Sequence, residues 1–122
     1  MLIKGLYTVE EFRQTGEGIT ATVRLNKDHD VFKGHFPGNP VMPGVCMIQM
    51  VKELTEKSIG KTLFLNVSTN IKFMAIINPE IHPILNVDLN ISEVGEQIKV
   101  KNSTSFGNTL ALKLNASFTV AD

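Results

Sequence analysis

The sequence predicts an α+β fold in which one helix is enclosed by an antiparallel sheet. Three observations predict it. Several segments alternate apolar and polar residues with period two, the mark of strands with one dry and one wetter face. A single stretch, from about Pro43 to Ile59, reads as a long helix whose first turns are apolar on nearly every side. A chain of 122 residues, 43% hydrophobic, is long enough to bury a core without staples. Residues 1–122 are therefore read as one domain.

An early strand covers Ala21–Leu25, and Thr8–Arg13 before it fits either a strand end or a brief helix. Asp28 and Asp30 read as turn residues ahead of Phe32. In the helix, Pro43 suits the first helical position, where its missing N–H costs nothing. Gly60 suits the left-handed residue just past the end. Val45, Cys46, Met47, Ile48, Met50, Val51 and Leu54 cover nearly all sides of the first turns, so this part should be buried all round. Lys52, Glu53, Glu56 and Lys57 should emerge into solvent. Leu63, Leu65, Val67, Thr69, Ile71 and Phe73 then mark one face of a strand. Ile84–Ser92, Ile98–Phe106 and Thr109–Val120 read as a meander, with turns at Gly95-Glu96 and Gly107-Asn108. Met42, Met47, Met50 and Met74 are expected to fill the core.

Twelve basic and twelve acidic side chains cancel, with no block of like charge, which argues against nucleic acid or an anionic membrane as partner. The single cysteine, Cys46, fits a reducing compartment and excludes a metal site built from cysteines. The first residues lack the apolar core of a signal peptide, and no apolar run is long enough to span a bilayer. A cytoplasmic protein without membrane insertion is expected. His29 and His82 have no ligand-like neighbours at metal spacing, so no metal or other cofactor is expected.

The chemistry-bearing stretch is His35-Phe36-Pro37-Gly38-Asn39-Pro40-Val41-Met42-Pro43-Gly44. Three prolines and two glycines fix a special backbone path beside a histidine, whose ordinary pKa lies near neutrality. The start of the helix near Gly44 offers unpaired N–H groups and a positive dipole end, suited to polarising a carbonyl oxygen. A possible base, a possible oxyanion site and an apolar helix able to line an acyl pocket thus lie together in sequence. On the residues alone, a satisfied loop histidine beside a proline-fixed turn is the alternative.

This stretch resembles the signature of the hot-dog-fold 3-hydroxyacyl-acyl-carrier-protein dehydratases of fatty acid synthesis. His29-Asp30-Val31-Phe32-Lys33-Gly34 matches that family's approach to its histidine, and Ile71-Lys72-Phe73 its strand after the helix. The resemblance implies a curved antiparallel sheet wrapped around one central helix, a dimer, and an acyl tunnel at the dimer interface. It implies removal of water from a (3R)-hydroxyacyl thioester on acyl carrier protein, giving a trans-2-enoyl thioester. His35 would take the proton from carbon two. Backbone groups of Gly44 and Phe36, with Gly38, Pro43 and Val45 alongside, would hold the thioester. A carboxylate on the helix, from the other subunit, would help the hydroxyl leave.

That carboxylate position is Gln49 here, fourteen residues after His35. An amide cannot act as acid or base at neutral pH. The usual pattern carries a glutamine four residues later, where this chain has Glu53, so the pair is exchanged. Glu53 is one helical turn from Gln49 and could reach the site, but a solvated glutamate beside Lys52 and Lys57 is the expectation. The arginines that often follow Lys-Phe are replaced by Met74-Ala75-Ile76-Ile77, and the usual Pro-Gly-Asp turn by Pro79-Glu80-Ile81. Lys33 and Lys72 remain as possible contacts to a carrier. The expected partners are acyl carrier protein and a second hot-dog subunit, as homodimer or heterodimer, within a larger assembly if dimers stack. The exchange at Gln49 raises the alternative of a weakly active or non-catalytic acyl-binding partner subunit. A thioesterase of the same fold is the third reading.

Overall fold

The computed structural model describes residues 4–16, 18–33 and 40–121, without the side chains of residues 33 and 65–69. In chain order the elements are β1 (Tyr7–Thr15), β2 (Gly18–Leu25), α1 (Asp30–Lys33), α2 (Gly44–Ile59), β3 (Leu63–Phe73), β4 (Ile84–Val94), β5 (Gln97–Phe106) and β6 (Thr109–Val120). All six strands form one sheet in the order β1-β2-β4-β5-β6-β3, every pairing antiparallel. The sheet curls around α2, the one long helix among the described residues, which packs against β3 and β4. This is the hot-dog architecture.

The undecided stretch Thr8–Arg13 belongs to a strand. β1 pairs with β2 from Tyr7↔Leu25 to Thr15↔Gly18, with one irregularity between Val9 and Glu11. Charged Glu10, Glu11 and Arg13 are exposed on this edge strand, which discourages further strands from adding there. The meander β4-β5-β6 forms as the alternation requires. Its hairpin turns place Gly95 and Gly107 at φ 63° and 56°, backbone that side chains with a Cβ resist. In β6 the simple alternation fails at one end. The pairing with β5 shifts between Thr104 and Ser105, so Leu110 stands half-buried while Ala111 and Leu112 are both buried.

Helix α2 starts one residue later than the proline suggests. Pro43 is the cap, with extended backbone (φ −64°, ψ 144°), and its carbonyl accepts from the N–H groups of Cys46 and Met47. Gly60 closes the helix in the left-handed conformation at φ 70°, its N–H donating to the Glu56 carbonyl at 2.8 Å. The all-round burial expected for the first turns is corrected. Cys46, Met47, Met50, Val51, Leu54 and Thr55 are buried, but Val45 is 75% exposed and Ile48 only half-buried. The sheet packs against the helix, and Val45 in its first turn and Lys57 near its end are its exposed positions.

The polar end is also corrected, since only Lys57 of the four named residues is exposed. Lys52 and Glu56 pair at 3.3 Å while half-buried, and Glu56 also accepts from the Leu63 N–H at 2.7 Å, tying the helix to the start of β3. Met42, Met47 and Met50 fill the core, whereas Met74 is 55% exposed just past the end of β3. The buried polar side chains among the described residues are satisfied. Thr55 donates to the Val51 carbonyl, Asn102 to the Asp88 carbonyl, and Thr104 to Asn102 Oδ1. Among the described residues no helix is long and apolar enough to cross a membrane.

Candidate active site

His35, Phe36 and Gly38 lie outside the described residues. The described part of the motif runs from Pro40 into α2. There Met42, Pro43, Gly44, Met47, Phe73 and Ile77 wall an apolar hollow of about 230 Å³ at the helix start. The Met42 N–H donates to the Ile77 carbonyl at 2.9 Å, which pins the approach to the helix against the segment after β3. Among the described residues no side chain caps α2, and with the Pro43 carbonyl taken by Cys46 and Met47 the N–H groups of Gly44 and Val45 are left to other acceptors. The Phe73 ring lies over Gly44. A Cβ at Gly44 would stand 2.8 Å from Phe73 Cζ, so glycine is what lets ring and helix start meet. A larger hollow of about 370 Å³ includes Asn90, Lys99 and Lys101 and shares no residue with this region.

Val45, Gln49 and Glu53 follow one another at four-residue spacing, so they sit on one side of α2 in successive turns. Gln49 is half-buried, and its Nε2 donates to Glu53 Oε2 at 2.9 Å. The Tyr7 hydroxyl, from β1, donates to Glu53 Oε1 at 2.7 Å. Glu53 is therefore no solvated surface glutamate beside Lys52 and Lys57. Both its oxygens accept hydrogen bonds, one from the helix and one from the sheet. The physical reason is the curl of the sheet, which carries the start of β1 back to the middle of α2. Burial first, and the hydrogen bond to Glu53 second, raise the Tyr7 pKa far above the ordinary tyrosine range, so Tyr7 remains a donor.

Tyr7, which sequence reasoning did not single out, joins this cluster through Glu53. It is 46 residues from Glu53, and the chain's lone tyrosine at the start of an undecided segment gave no sign of a tertiary partner. The other singled-out residues are accounted for structurally. His29 Nδ1 accepts from the Val31 N–H at 3.0 Å, and its Nε2–H donates to the Lys4 carbonyl at 2.9 Å, so it caps α1 as a satisfied loop histidine. Asp28 sits in a turn, its N–H bonded to Asn26 Oδ1, and Asp30 opens α1. His82 stacks on Phe106 with ring centroids 4.2 Å apart. The Cys46 thiol is buried, which pushes its pKa up and makes it a poor nucleophile. Lys72 is exposed on edge strand β3, directly opposite Lys113.

The model of the ApeI-like family, described as ApeI dehydratase, matches residues 11–110. The chain belongs to the ApeI-like dehydratase family. It is 31% identical over 115 residues to the 3-hydroxyacyl-[acyl-carrier-protein] dehydratase FabZ of Lactobacillus helveticus, covering 88% of this chain and 76% of that one. Its fold is similar to a chain of the dehydratase heterocomplex ApeI:P from Xenorhabdus doucetiae, with a TM-score of 0.75 at 18% identity, covering 92% of this chain and 96% of the other. A hypothetical thioesterase protein with coenzyme A from Streptococcus pneumoniae matches the fold at a TM-score of 0.66 and 12% identity, over 94% of this chain and 85% of that one. The ApeI-like family thus joins the dehydratase motif to the observed fold.

Proposed function

We propose that this protein is a dehydratase subunit acting on (3R)-3-hydroxyacyl thioesters carried by acyl carrier protein. The observation that carries the reading is the dehydratase-type His-to-Gly motif, running into a helix start with no side-chain cap at Pro43, beside an apolar hollow. The thioester carbonyl accepts from backbone N–H groups at Phe36 and the start of α2 near Gly44. Gly38, Pro43 and Val45 shape the passage of the acyl arm. His35 takes the proton from carbon two. The C3–O bond breaks, the carbon two–three double bond forms, and the imidazolium returns the proton to the departing hydroxyl, releasing water. Gln49 orients the hydroxyl by hydrogen bonding and transfers no proton.

The amide at Gln49 favours a second version, in which this chain is one half of a heterodimer. Loss of a positioned acid costs about 10²–10⁴-fold in rate, so a homodimer works slowly. A partner with a carboxylate at the equivalent helix position completes a site with His35 of this chain. Fold similarity to a chain of a dehydratase heterocomplex is in keeping with that arrangement. One domain, a cytoplasmic setting and a dimer belong to the same proposal. The test is conversion of a 3-hydroxyacyl carrier thioester to the enoyl thioester by the purified protein, alone and mixed with an active relative. Slow turnover alone that rises on mixing beyond the relative's own rate supports the heterodimer. Slow turnover unaffected by mixing supports the homodimer, and hydrolysis of the thioester in place of dehydration overturns both.

A further inference from the structure

We propose that Tyr7 and Glu53 are positioning residues that fix the Gln49 amide so that its carbonyl oxygen receives the C3 hydroxyl of the substrate. The inference rests on the function proposed above and gives a role to Glu53 and to Tyr7, which lies outside the motif. A side-chain amide has two faces of opposite hydrogen-bonding character, and a free one turns either way. Here the Glu53 carboxylate, an acceptor, selects the NH₂ side at 2.9 Å. The Gln49 oxygen then lies on the other branch of the amide, away from Glu53. Glu53 in turn does not swing, because Tyr7 holds its second oxygen at 2.7 Å from the sheet. Tyr7 is half-buried and stays a donor. The three groups form a directional chain, phenol to carboxylate from one side and amide to carboxylate from the other, which polarises the amide and strengthens its oxygen as an acceptor. Exchanging the glutamate and glutamine of the motif thus leaves an acceptor for a hydroxyl where an acid would stand.

Two measurements on the whole protein test this. Tyr7 is the only tyrosine and there is no tryptophan, so tyrosinate absorbance titrates this one phenol. In wild type, tyrosinate should form only well above the ordinary value of about 10. Glu53→Gln should lower that titration while leaving part of the elevation that burial causes. An unmoved titration would show that the contact is absent in solution and would overturn the proposal. The second measurement compares binding of a 3-hydroxyacyl pantetheine thioester with the same thioester lacking the hydroxyl. Wild type should prefer the hydroxylated form by about tenfold, the value of one good hydrogen bond. Tyr7→Phe and Gln49→Leu should each reduce that preference to near one, and the double variant should reduce it no further. Preference retained in Tyr7→Phe, or additive losses in the double variant, would overturn the positioning role alone. Binding of neither thioester by wild type would overturn the proposed function and this role with it.

Discussion

At the scale of single residues, the proposed site turns on which side chain at two neighbouring helical turns is the acid and which the amide. The exchange of Gln49 and Glu53 is legible in the sequence because the motif fixes the spacing. The fate of Glu53 is not legible, because its partner Tyr7 arrives from another element 46 residues away. Gln49→Glu alone sets two carboxylates face to face, and like charges at that distance compete for one proton. The double variant Gln49→Glu/Glu53→Gln restores the usual order and keeps one amide to support one acid. In a turnover assay with a 3-hydroxyacyl carrier thioester, the double variant should exceed wild type by up to about 10²–10⁴-fold. Equal rates would show that the amide does not limit this protein.

Tyr7 also makes stability depend on pH at the alkaline end. Its folded pKa is raised above the unfolded value of about 10. Between those two values the folded state holds the phenolic proton and the unfolded state has lost it. Stability therefore falls as pH rises. The contribution is complete below about pH 10 and is lost as pH climbs through the raised folded value. Urea titrations of wild type and Tyr7→Phe should differ by a constant below that pH, and the wild-type advantage should shrink above it. Parallel curves throughout would contradict the burial and hydrogen bonding assigned to Tyr7.

At the scale of elements, period-two alternation made the meander readable, and the apolar run with its flanking proline and glycine made α2 readable. The errors fall where a neighbour overrides the local pattern. The shift between β5 and β6 moves burial from Leu110 to Ala111, and Val45 is exposed in the first turn of α2, where the sheet does not reach it. The helix should be sensitive at both its packed side and its end. Leu54 is 1% exposed, so Leu54→Ala should cost about 2–5 kcal/mol by chemical denaturation. Gly60→Ala, forced into a left-handed backbone, should cost about 1–2 kcal/mol. Gly44→Ala is different in kind. Its Cβ meets the Phe73 ring, which is itself more than half exposed, so the ring moves and the entrance narrows. Thioester binding should suffer more than unfolding free energy, and a loss confined to stability would contradict the proposed role of Gly44 in holding the thioester.

At the scale of the whole molecule, a long helix lies against a curled sheet with Val45 exposed in its first turn, and the exposed apolar residues Phe73 and Ile76 line the hollow at the helix start. These exposed apolar residues next to the candidate site are what a second subunit would cover. Light scattering should therefore find a dimer at micromolar concentration, and Val45→Lys should shift it towards monomer. The sequence carried this expectation only through its resemblance to a dimeric family, since no periodicity within one chain encodes what covers an outer face. The most direct measurement is complementation with an active relative whose own motif histidine has been replaced by alanine. That relative cannot turn over a 3-hydroxyacyl carrier thioester by itself, but it still supplies a helix carboxylate. Mixed with this protein, it should form enoyl thioester at a rate well above either protein alone. The same mixture made with His35→Ala should form none. Enoyl formation that persists with His35→Ala, or a mixed rate no greater than the separate rates together with no turnover by this protein alone, would contradict the account.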